Sequence, residues 1–61
     1  MDNFSQELIE RRGALTQTEA GRLLGVSGGA VGCFERHPPR THRARLRLLK
    51  RYDAAGLVAK N

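Results

Sequence analysis

Cys33, His37 and His42 are the only thiol and imidazole groups in the 61 residues, so a soft-metal site or an activated nucleophile would have to be built on them. Their arrangement does not serve either purpose. Three ligands interrupted by Pro38 and Pro39 form no zinc pattern. A nucleophilic Cys33 would need a histidine oriented by an Asp or Asn, and none is spaced to do so. Ser27 sits where a helix cap is needed, which accounts for it without catalysis. Paired carboxylates for acid–base work are absent as well. These residues therefore predict no enzyme, no metal, no cofactor and no small-molecule substrate, and leave His37 and His42 as caps or phosphate-side donors.

The chemistry that remains is charge. Eleven Lys plus Arg against six Asp plus Glu give a net charge of +5, which points to a polyanionic partner, nucleic acid ahead of a membrane surface. Arg36, Arg40, Arg43, Arg45, Arg47, Lys50 and Arg51 fall in one stretch without an acid, while Asp2, Glu7, Glu10 and Glu19 lie toward the N-terminus. A basic run alone is commonly just a solvated face. No aromatic platform for stacking bases accompanies it, since the chain has one Tyr, two Phe and no Trp, and this ranks structured RNA below duplex DNA. The same lack of Trp weighs against a membrane-surface helix, and no apolar run approaches the roughly 20 residues needed to cross a bilayer. A single cysteine and no signal-peptide pattern predict a cytoplasmic protein.

A chain this short predicts one domain, 1–61, that buries only about 60% of its unfolded surface, so self-association would help it. The expected fold is all-α, with four to five short helices. Asn3 to Arg12 reads as the first, capped by Asp2 or Asn3, with Phe4, Leu8 and Ile9 on one side and Gly13 as its stop. Thr16 with Glu19 three residues on is a capping box for a second helix, whose buried side would be Ala20, Leu23 and Leu24 and whose end is Gly25. Val26 then turns inward and Ser27 caps a third helix, Gly28 to about Arg36, with Ala30, Val31 and Phe34 apolar. Positions 28, 29, 32, 33 and 36 fall on its opposite side. Pro38 and Pro39 forbid continuation, leaving a basic loop. Thr41 or His42 caps a fourth helix to about Ala55, with Leu46, Leu49 and Tyr52 toward the core, Leu48 and Ala55 widening the stripe, and Gly56 ending it. Leu57 and Val58 would pack on the domain's own core or on a second copy.

Two short helices across a glycine turn make a central helix-turn-helix. Thr16-Gln17, Gly25-Val26-Ser27, Val31 and Phe34-Glu35 resemble, without insertion, the lambda-repressor/Cro-like family, also called the xenobiotic-response-element family. The resemblance covers roughly the first three quarters of the chain. It implies a lambda-repressor-like transcriptional regulator, a repressor acting as a homodimer on a palindromic DNA operator, with the third helix in the major groove. By position it implies base-facing roles for Ser27, Gly28, Gly29, Gly32, Cys33 and Arg36. Gln17, Arg22, Arg36, Arg40, Thr41 and Arg43 would hold phosphates. Glu35 would pair with a nearby arginine and help orient Arg36 or Arg40. Gly21 stands where the family favours alanine, keeping the small size that position needs at a cost of roughly 1 kcal/mol of helix propensity. The glycines of the third helix leave a nearly blank face. Either they let its backbone lie close to the bases, or the scaffold is kept for a protein partner, as in an antitoxin-like interaction module.

Overall fold

Side-chain hydroxyls start three of the four helices in the computed structural model, which describes residues 3–58. The helices are α1 (Asn3–Arg12), α2 (Gln17–Leu24), α3 (Gly28–Arg36) and α4 (His42–Ala54). The Thr16 hydroxyl accepts from the Glu19 N–H at 3.1 Å while the Glu19 carboxylate accepts from the Thr16 N–H at 2.9 Å, completing the expected capping box. Ser27 accepts from the Ala30 N–H at 3.1 Å and Thr41 from the Ala44 N–H at 3.2 Å. Thr41, rather than His42, is thus the cap of α4. Asp2, the other proposed cap of α1, lies outside the described residues. Gly25 ends α2 at φ 77°, a left-handed conformation that costs glycine little, and Val26 N–H then returns to the Gly21 carbonyl at 2.8 Å.

The result is a compact all-α bundle of four short helices. Phe4, Leu8, Ala20, Leu24, Val31, Leu48, Tyr52 and Leu57 form its core, with Leu15, Val26, Phe34, Leu49 and Ala55 packed against it. Two expected core residues are instead exposed: Leu23 at 55% and Leu46 at 46%. On α4 the inward line runs through Leu48 and Tyr52, an i, i+4 pair, and Leu46 falls off that line. On α2 the same geometry selects Ala20 and Leu24. Leu57 closes the core of its own chain, which settles its place, while Val58 is exposed. Arg11 ties this tail to α1, donating to Glu7 at 3.1 Å, to Asp53 at 2.6 Å and to the Leu57 carbonyl at 3.2 Å. Burial alone would lower the Arg11 pKa, and the bonds to Asp53 and Glu7 outweigh it and raise it.

Glycine sets the distance between α2 and α3. A Cβ added at Gly21 would lie 2.7 Å from the Val26 carbonyl oxygen and 2.8 Å from that of Ser27, so the helix backbone rests directly on the turn. A Cβ at Gly28 would meet the Thr18 Cα and backbone nitrogen at 3.0 Å. Backbone atoms cannot move aside as a flexible side chain can.

Gly21→Ala should consequently lower the thermal midpoint, even though alanine gains roughly 1 kcal/mol of helix propensity, because overpacking of this kind costs about 1–3 kcal/mol. An unchanged or raised midpoint in a circular-dichroism melt would contradict the close approach. Thr16→Ala should cost about 1 kcal/mol at neutral pH. The hydrogen bond from the Thr16 backbone, then that with its hydroxyl, and the Arg22 charge hold the Glu19 pKa below its ordinary value. A depressed carboxylate pKa contributes stability above the unfolded-state value that is lost as pH falls through the folded-state value. The gap between wild type and Thr16→Ala should therefore narrow on acidification below the ordinary carboxylate range, and a gap that widens would rule out the box.

Candidate nucleic-acid interface

The outer edge of α3 is built on its cap. Ser27, Gly29, Cys33 and Arg36 are exposed, and a Cβ at Gly29 would meet nothing closer than the Ser27 hydroxyl at 3.8 Å. Gly28 and Gly32, expected on that same open side, are turned toward α2. Gly28 abuts Thr18, and Gly32 is buried beneath the Gln17 amide, whose oxygen and nitrogen would stand 3.1 and 3.2 Å from an added Cβ. The Arg36 guanidinium also folds back over Gly32, at 3.3 Å from the same point. Of the three glycines in α3, only Gly29 is open to a large partner. The other two are absent side chains that let α2 and α3 approach.

Gln17 is held from behind. Its amide donates to Glu35 Oε1 at 3.1 Å, leaving one amide N–H unclaimed by that bond. Glu35 in turn accepts a fork from Arg12, Nε at 2.7 Å and Nη2 at 3.3 Å, while Arg12 Nη1 donates to the Leu15 carbonyl at 2.9 Å. The arginine that Glu35 pairs with is therefore Arg12 of α1, not Arg36 or Arg40. Glu35 is only 7% exposed, and burying a carboxylate to that degree is costly unless it is paired and hydrogen-bonded as it is here. The Tyr52 hydroxyl is buried in the same region and has no hydrogen-bond partner among the described residues. Burial first, and then the Glu35 charge, raise its pKa, with Arg12 acting against them.

Arg12 escaped the sequence reading, and its signal was there. Val31, Phe34 and Glu35 share helical spacing, so an acid stood on an apolar stripe and required a cation from another element.

The cations of the expected phosphate set are differently placed. Arg22, Arg36, Arg40 and Arg43 are exposed, and none forms an ion pair or side-chain hydrogen bond with another described residue. Arg36 closes α3, and Arg40, Thr41 and Arg43 follow directly through the loop into α4. Thr41 keeps its hydroxyl proton to donate while its oxygen caps α4. Arg45 is committed to the fold: it donates to the Pro39 carbonyl at 2.7 Å and stacks 4.9 Å above the Phe4 ring. His37 caps α3 through its backbone N–H, bonded to the Cys33 carbonyl at 2.7 Å. Among the described residues no three His, Cys, Asp or Glu side chains are grouped so as to hold a metal ion, and no helix is long and apolar enough to cross a membrane. Comparison with protein-family models, curated proteins and solved structures finds no match.

Removing one partner of the buried cluster should be far more damaging than removing its unpaired hydroxyl. Glu35→Ala strands the Arg12 guanidinium and should cost about 3 kcal/mol in urea unfolding. Tyr52→Phe should be neutral or stabilising, because it deletes a buried group with no partner. Equal destabilisation by the two substitutions would contradict the arrangement.

Proposed function

We propose that this protein is a sequence-specific double-stranded DNA-binding regulator, with α2 and α3 as a lambda-repressor-like helix-turn-helix and α3 as the helix that enters the major groove. The observation that carries the reading is the uncovered edge of α3 at Ser27, Gly29, Cys33 and Arg36, continued along the chain by the uncommitted cations Arg40 and Arg43. A groove-reading helix needs such an edge, and a phosphate clamp needs cations not already spent on the fold.

Arg36, Arg40, Thr41 and Arg43 would grip the backbone on the far side of α3, and Arg22 and the start of α2 the near side. Gln17 would contribute its remaining amide proton, oriented by Glu35. Direct base contacts would fall to Ser27, Cys33 and Arg36, with Gly29 allowing close approach and DNA shape supplying much of the discrimination. The small domain would act as a homodimer and repressor, its two α3 helices about 34 Å apart on a palindromic operator. Cytoplasmic location belongs to the same reading.

A second reading, a protein-interaction or antitoxin-like module on the same scaffold, is favoured by the scarcity of hydrogen-bonding side chains on the α3 edge. Duplex binding by the isolated protein separates the two.

Fluorescence anisotropy with duplex DNA should give an affinity that falls steeply with salt, with a log–log slope on the order of −5 if about six phosphates are neutralised per dimer. Arg40→Ala should weaken all duplexes alike, whereas Gly29→Gln should change which sequences a random pool yields, a good bidentate base contact being worth about 1–3 kcal/mol. A flat salt response, or no binding at all, would reject the reading.

A further inference from the structure

Arg47 and Arg51 belong to the basic stretch but not to the phosphate set, and they stand one helical turn apart on α4. With Ala44 and Leu48 they form one wall of a cleft whose other wall is Phe34 and Pro39, about 290 Å³ in volume. The surface inside is mostly apolar, and Phe34, Pro39, Ala44 and Leu48 are among the residues that line it. Arg51 anchors one end by donating to the Leu24 carbonyl at 3.2 Å, which leaves its other N–H groups unclaimed by that bond. Arg47 is exposed and makes no ion pair or side-chain hydrogen bond with another described residue.

We infer that this cleft docks an acidic peptide segment of a partner protein, one large apolar side chain entering between Phe34 and Leu48 while neighbouring carboxylates meet Arg47 and Arg51. Charge and the apolar floor select this occupant. At about 290 Å³ the cleft has room for one Phe or Leu side chain. Two guanidinium groups beside an apolar floor complement carboxylates flanking an apolar anchor, and bidentate Arg–carboxylate pairing adds register. A DNA backbone would use the cations and leave the apolar floor idle. The docking stands on the cleft alone and does not depend on DNA binding.

The test uses the full chain and a fluorescein-labelled twelve-residue peptide of Asp and Glu around one central Phe, with three comparators: Phe replaced by Ser, all acids replaced by their amides, and a short DNA duplex. The acidic Phe peptide should bind and shift the backbone amide resonances of Phe34, Ala44 and Leu48. Arg47→Glu, an exposed change that should leave the melting curve unmoved, should weaken that binding at least about tenfold. The Ser and amide peptides should each bind more weakly by a similar factor. Equal affinity for the Ser peptide would reduce the cleft to a general polyanion surface and overturn the proposal. So would duplex DNA producing the same resonance shifts at Phe34, Ala44 and Leu48, or no peptide binding.

Discussion

Everything in this fold is referred to the distance between the backbones of α2 and α3. Gly21 rests on the carbonyls of Val26 and Ser27, Gly28 on the backbone of Thr18, and Gly32 under the amide of Gln17. Each contact would be blocked by a methyl group in its present position or would force its neighbour to give. In a chain of 61 residues the apolar core is small, and close backbone packing compensates by fixing α3 on a short lever. The Arg12–Glu35–Gln17 chain of hydrogen bonds then joins α1, α2 and α3 on the inner side. What is left uncovered on α3 is the part those contacts do not need.

Most of the element plan was legible from local chemistry. Thr16 with Glu19, Ser27, Thr41, Gly25 and Pro38-Pro39 each act within a few residues, so a sequence reading places the helices where the structure has them. Facing was less legible. Leu23 and Leu46 are apolar at roughly helical spacing, yet they are exposed while Ala20, Leu24, Leu48 and Tyr52 of the same expected stripes are buried, because short helices leave the direction of the buried stripe to tertiary contact.

The glycines of α3 show the limit most clearly. A glycine on the outer side of a helix reads the same whether it spares room for a ligand or for a neighbouring helix, and only the placement of Thr18 and Gln17 assigns Gly28 and Gly32 to the second use. Gly21, read as a small residue that costs helix propensity, sits so close to the turn that even the alanine Cβ would crowd the Val26 and Ser27 carbonyls. The split among the arginines was likewise hidden. Arg11, Arg12, Arg45 and Arg51 are bonded within the fold, while Arg22, Arg36, Arg40, Arg43 and Arg47 make no side-chain hydrogen bond or ion pair with another described residue, and net charge cannot tell the two sets apart. The second set is what gives the proposed DNA reading its physical content.

Backbone amide shift mapping of the isotope-labelled chain with a duplex pool of random sequence decides whether the uncovered edge of α3 meets DNA. The perturbed amides should run from Ser27 and Gly29 through Cys33 and Arg36 to Arg40 and Arg43, with Leu8 and the other α1 core positions unmoved. Perturbations centred on α1, or an unchanged spectrum at low salt with excess duplex, would contradict it.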